Sequence, residues 1–153
     1  MRACQPFAKP VAPLAELRRE LRQVMWDDVG VMRTAAGINH GLSALEDISR
    51  ELDNSGVDDS TRAFNLTWHD WLNLRNLVDM SKVIGEAALM RENSRGAHFR
   101  EDFPETGALD DSYFTNVRQT GGDLKVTREA VAFTIVKPGE TILPADEPES
   151  LVG

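Results

Sequence analysis

The stretch Thr67-Trp68-His69-Asp70-Trp71-Leu72-Asn73-Leu74-Arg75-Asn76-Leu77-Val78-Asp79-Met80-Ser81-Lys82-Val83-Ile84-Gly85-Glu86-Ala87-Ala88-Leu89 decides the fold. Apolar side chains recur along it at helical spacing, and Trp68, Trp71, Leu72, Leu74, Leu77, Val78, Met80, Val83, Ile84, Ala87, Ala88 and Leu89 nearly encircle the helix they predict. A helix that is apolar on most sides packs between others, so this one is expected at the centre of a bundle. Thr67 with Asp70 three residues on has the form of a capping box and places the start of the helix there. Gly96 is expected to supply the left-handed residue that stops it, with Arg91 and Arg95 near its negative end.

Upstream lie two amphipathic patterns. Leu14, Leu17, Leu21, Val24 and Met25 form one stripe opposite Arg18, Arg19 and Arg22, and the pattern fades at Gly30. Ile38, Leu42, Leu45, Ile48 and Leu52 form a second behind Thr34 as N-cap, ending at Asp53-Asn54-Ser55-Gly56. Downstream, Tyr113–Thr120 and Leu124–Val131 read as a hairpin across Gly121-Gly122-Asp123. A two-stranded hairpin is marginal alone and must lie on the bundle or on a partner. Phe133–Gly139 reads as an added extended edge. The expected fold is therefore mainly α: a three-helix antiparallel bundle, up-down-up like a spectrin repeat, with a C-terminal β-hairpin. Its parts are a proline-rich lead-in (1–13), the bundle with its arginine-rich docking segment (14–104), an acidic linker with hairpin and edge (105–139), and a flexible tail (140–153).

At 153 residues and 17.0 kDa the chain suffices for one domain with a core. A net charge of -8, from 25 acidic against 17 basic residues, with no basic run, argues against nucleic acid and against anionic membrane surfaces. The lone Cys4 excludes an intrachain disulfide and a multi-cysteine metal site, and points to a reducing compartment. No apolar run reaches membrane-spanning length, and the first residues carry no readable targeting signal, so a cytoplasmic protein is expected.

Candidate chemistry is sparse. The glycines form neither a dinucleotide fingerprint nor a Walker loop. His40, His69 and His98 have no second ligand at metal spacing, Asp27-Asp28 and Glu101-Asp102 diverge along the backbone, and Trp68 and Trp71 sit at core spacing. Catalytic, cofactor-binding and metal residues are all expected to be none. Ser94-Arg95-Gly96-Ala97-His98-Phe99-Arg100-Glu101-Asp102-Phe103-Pro104 stands apart, because two aromatics and a dense set of charges make a poor solvent loop. It reads as a docking edge, to be covered by something else.

Met25-Trp26-Asp27, Val29-Gly30-Val31 with Arg33, Asn73-Leu74 to Val78, and Arg91 through Pro104 together resemble the C-terminal helical domain of the succinate dehydrogenase and fumarate reductase flavoprotein family. L-aspartate oxidase carries a related domain. The resemblance covers roughly Leu14 to Pro138. It implies a parent oxidoreductase in which a dicarboxylate exchanges a hydride with FAD, whose flavin-binding and catalytic segments precede this domain and match nothing here. The chain alone is expected to bind no FAD and to be inactive. The resemblance further implies docking on the FAD-binding and capping domains through Arg91, Arg95, His98, Phe99, Arg100 and Phe103. It also implies that an iron-sulfur subunit is a more distant partner and that any membrane association comes only through partner subunits. The alternative is a free-standing helical interaction module, homodimeric in isolation.

Overall fold

A computed structural model describes residues 6, 7, 9–11 and 13–141. Helix α1 (Leu14–Asp27) follows Pro13 and buries Leu17 and Leu21. A two-residue strand β1 (Met32–Arg33) precedes α2 (Ala35–Asn54), whose first turn is capped as expected by Thr34, the side chain accepting from the Gly37 N–H at 3.0 Å. Ile38, Gly41, Leu45, Ile48 and Leu52 of α2 are buried at spacings of three and four.

Helix α3 (Leu66–Met90) starts earlier than a Thr67 cap requires. Its cap is Asn65, whose Oδ1 accepts from Trp68 N–H at 2.7 Å while its amide donates to the Asp59 and Thr61 carbonyls. Asn65 outcompetes Thr67 because it is buried and also ties down the preceding connection. The stop differs too. The helix ends at Met90 with an extended Arg91, and Gly96 (φ +58°) serves a later turn.

The helices run up, down and up. Lys82 with Glu46 and Arg75 with Asp53 align α3 antiparallel to α2, and Arg18 with Asp70 brings the N-terminal ends of α1 and α3 together. The core is Leu17, Leu21, Leu45, Ile48, Leu52, Val57, Trp71, Leu74 and Val78. Trp71 is 1% exposed, and its indole N–H donates to the Leu52 carbonyl at 3.3 Å. The described residues of the lead-in touch the bundle. Phe7 packs on the core edge-on to Trp68, and Val11 bridges Gly56.

The expectation that α3 is buried on most sides is corrected. It buries one stripe (Trp71, Leu74, Val78, Ser81, Gly85, Ala88) and leaves Leu77, Met80 and Ile84 exposed. With only two helical neighbours and a hairpin, α3 cannot be covered all round.

Strand β2 (Phe99–Arg100) pairs parallel with β1, Met32 opposite Phe99 and Arg33 opposite Arg100. Strands β3 (Tyr113–Thr120) and β4 (Asp123–Ala130) form the expected hairpin, which lies against α3. Its loop is Gly121-Gly122, both at positive φ, and Asp123 pairs with Thr120 instead of joining the loop. The Phe133–Gly139 edge is not a strand: Val131 N–H bonds the Ser112 carbonyl, and pairing ends there. The tail lies outside the described residues beyond Thr141. No helix among the described residues is long and apolar enough to cross a membrane.

Candidate functional site

The segment after α3 is folded on itself by short polar residues. Ser94 Oγ accepts from the Arg100 N–H at 2.8 Å and donates to the Phe103 carbonyl at 2.8 Å. Arg95 and His98 exchange backbone hydrogen bonds around Gly96-Ala97. That turn lays Phe99 and Arg100 beside Met32 and Arg33, and Glu101 N–H then bonds the Arg33 carbonyl at 2.8 Å.

Arg100 points inward and is 1% exposed. Its Nε and Nη2 hold both oxygens of Asp102, at 2.7 and 2.8 Å. Its Nη1 donates to the carbonyls of Ala88, Leu89 and Arg91, at 3.0–3.2 Å. They lie at the C-terminus of α3, where carbonyls run out of helical partners and a cation is favoured; only Ala88 has another donor there, the Arg91 N–H. Arg128 Nη2 donates to the next one, the Met90 carbonyl, at 2.5 Å, with the guanidinium over the Tyr113 ring. Asp102 meanwhile accepts from the Ala35 N–H at 2.8 Å, at the positive end of α2. One ion pair thus joins the negative end of α3 to the positive end of α2.

Arg95 is also spent internally. Its guanidinium donates to the carbonyls of Thr106 and Ala108 and to Ser112 Oγ, at 2.6–2.8 Å, so it shapes the acidic linker. Arg33 donates through Nε to the Val29 carbonyl and places Nη1 2.9 Å from His98 Nδ1. Phe99 and Phe103 are each 37% exposed; Phe103 lies under the Arg100 guanidinium, and Phe99 neighbours exposed Met32. Of the six docking candidates, then, Arg95 and Arg100 hold the segment's shape. Both guanidiniums donate to acceptors of this chain. Phe99, Phe103, Arg91 and His98 remain at the surface or beside a cleft. Arg33, Asp102 and Arg128, absent from that set, complete the arrangement.

Burial pushes the His98 imidazole below its usual 6.5, and the cations Arg33, Arg91 and Arg100 push it the same way. The Arg91 carbonyl favours the charged ring, although His98 Nε2 meets no partner in hydrogen-bond geometry. Burial and Arg100 lower Arg33 as well. The hydrogen bonds from Arg100 hold the Asp102 carboxyl far below its usual 3.8, aided by Ala35 N–H. Both groups destabilise the fold in acid, by opposite routes. His98 has a depressed folded pKa, so the unfolded chain gains a proton first as pH falls below 6.5. Asp102 must be protonated in the unfolded chain below 3.8 while the folded carboxylate resists. Urea midpoints are expected to fall as the pH drops through 6.5, and to fall again below pH 4. A midpoint that rises on acidification through pH 6 would contradict the His98 environment.

Among the described residues, no group of three or more His, Cys, Asp or Glu is placed to hold a metal ion. What the arrangement does chemically is bind backbone ends and present an apolar ribbon.

Known proteins are similar to this chain in sequence and in fold. The family model described as "Fumarate reductase flavoprotein C-term" matches residues 18–143. The "Fumarate reductase flavoprotein subunit" of Mycobacterium tuberculosis is 31% identical over 133 residues, covering 84% of this chain and 22% of that protein. The "Succinate dehydrogenase flavoprotein subunit" of Coxiella burnetii is 36% identical over 91 residues, 60% of this chain and 16% of that one. Among solved structures, a chain of the apo Mycobacterium smegmatis Sdh1 complex is 34% identical with a TM-score of 0.73, covering 82% of this chain and 21% of its own. The chain thus spans about a fifth of the length of the relatives it matches.

Proposed function

The chain belongs to the fumarate reductase flavoprotein C-terminal family, and from that premise we propose that it is a helical buttress, packing on the FAD-binding and capping domains of a succinate dehydrogenase or fumarate reductase-type flavoprotein. The working unit is 14–139, with the docking segment up to 104 at its active edge. The observation that carries the reading is the ribbon formed by β1 and β2: Met32 and Phe99 lie side by side and outward, flanked by exposed Val31 and Phe103. Apolar residues gathered on a strand pair that ion pairs hold rigid fit the core of an interface. Arg91 and His98 add polar contacts at its border, while Arg95 and Arg100 keep the ribbon in shape.

In this reading the flavin and the dicarboxylate are held by the rest of the flavoprotein. This chain has no glycine-rich strand-to-helix turn for a dinucleotide, and its two capped helix starts, at Thr34 and Asn65, have no such turn before them. The flavin, where bound, supplies hydride transfer; these residues supply position. The chain alone is inactive and colourless, sits in the cytoplasm, and reaches an iron-sulfur subunit or a membrane only through the parent protein. Stoichiometric flavin retained after extensive dialysis would overturn this.

The test is calorimetric titration of the chain into a separately produced flavin-binding portion. Phe99→Ser combined with Met32→Ser is expected to weaken association by about tenfold or more, the loss of a buried apolar anchor pair. Unchanged affinity defeats the ribbon as the contact. A chain that sediments as a dimer and ignores the flavin-binding portion supports the free-standing module instead.

A further inference from the structure

A cleft of about 380 Å³ opens between the C-terminal half of α3 and β3, walled by Arg33, Arg91, His98, Tyr113, Phe114 and Thr115. Five buried side-chain polar atoms among the described residues meet no hydrogen-bond partner, and three of them belong to this wall: Arg91 Nε, His98 Nε2 and Thr115 Oγ1. All three can act as donors. A guanidinium only donates, so Arg33 Nη1 at 2.9 Å makes His98 Nδ1 the acceptor, and the ring proton sits on Nε2. Arg91 Nε–H has no acceptor at all, and its Nη2 contact to Asn93 is 3.4 Å, the outer limit of a bond. That leaves the Nε and Nη2 side of the fork, the side that grips two oxygens at once, without a strong partner.

No carboxylate lines the cleft. The larger cleft, about 670 Å³ between the hairpin and α2–α3, differs in charge: Arg75 Nε there also lacks a hydrogen-bond partner, but Arg75 and Lys82 are paired with Asp53 and Glu46. A buried donor without a partner is left unsolvated, and an entering acceptor removes that penalty.

We infer that the cleft formed by Arg33, Arg91, His98 and Thr115 is a carboxylate-binding site, with Arg91 gripping the two oxygens and His98 Nε2–H and Thr115 Oγ–H completing the contact. The inference stands on this chain's own geometry and not on the docking ribbon. The carboxylate comes either from a free small acid or from an Asp or Glu side chain of the flavin-binding portion. An anion there offsets the repulsion that Arg33, Arg91 and Arg100 exert on a charged His98.

Nitrogen and carbon NMR of the His98 ring tests this. The free chain should show the Nε2–H tautomer. Sodium acetate, against sodium chloride at equal ionic strength, should raise the His98 pKa saturably, and Arg91→Gln and, separately, Thr115→Val should each weaken that response several-fold with the amide spectrum intact. If acetate leaves the ring unchanged but the flavin-binding portion raises its pKa, and Arg91→Gln abolishes the rise, the carboxylate belongs to that portion. Equal shifts in acetate and chloride with no response to the flavin-binding portion overturn the site, as does an Nδ1–H tautomer or a response indifferent to Arg91→Gln. The ring readout is separate from the association measured for Phe99 and Met32, so either idea can fail alone.

Discussion

Arg100→Met is expected to destabilise the protein by about 3 kcal/mol, the cost of removing a buried guanidinium that satisfies helix-end carbonyls and a partly exposed carboxylate. Methionine fills much of the space but donates nothing. Leu89 and Arg91 lose the bond Arg100 gives their carbonyls, and Asp102 loses the fork that orients it toward Ala35 N–H. Ala88 keeps a bond from the Arg91 N–H, and Asp102 is 30% exposed and can turn to water, which holds the cost below the sum of the broken contacts. Arg100→Lys should recover little, since an ammonium cannot span a carboxylate and three carbonyls lying on different sides of a planar fork. Against a total of about 5–15 kcal/mol for a domain, either change is severe. Urea unfolding checks this. A loss under about 1 kcal/mol for both variants would mean the clasp contributes little to stability, whatever its geometry.

Trp71→Ala should cost a similar amount, about 3–5 kcal/mol, by a different mechanism. Trp71 lies among Leu52, Leu74 and the core residues of α1 and α2, where the three helices meet. Truncation leaves a cavity that the flanking helices cannot close, and it strands the Leu52 carbonyl, which the indole N–H reached. Trp71→Phe separates the two effects: it retains most of the apolar contact, so a loss of about 1–2 kcal/mol would belong to the hydrogen bond and the lost ring volume. If Trp71→Ala and Trp71→Phe unfold at the same urea concentration, the cavity argument is wrong.

Periodicity made the helices and the hairpin legible, because each is a local repeat of burial. Thr34 as a cap and the glycine pair of the hairpin were readable for the same reason: their chemistry acts within a few residues. Asn65 was missed because its advantage over Thr67 comes from carbonyls of Asp59 and Thr61, which a spacing rule does not weigh. The apolar circumference of α3 misled in one respect, since an exposed Leu77, Met80 or Ile84 has the same letter as a buried one. Ser94–Pro104 was conspicuous by composition, yet the roles within it were not. Nothing local says that Arg100 turns inward while Phe99 faces out. That follows from the pairing of β1 with β2, between residues 67 positions apart (99 − 32), and so does the meeting of Arg33 with His98.

The clasp also has a place in time. A chain made from its amino end completes α2 and α3 before Arg100 and Asp102 exist, so the two helix ends that the pair joins stand open while the segment from Arg91 to Asp102 is added. At about 5–20 residues per second, that interval is on the order of a second. Until it closes, the Leu89 and Arg91 carbonyls lack their Arg100 donor, and the Ala35 N–H of α2 lacks its Asp102 acceptor. Arg100 and Asp102 therefore work as a latch on completion: a chain stalled or cut before them has all three helices and none of the closure.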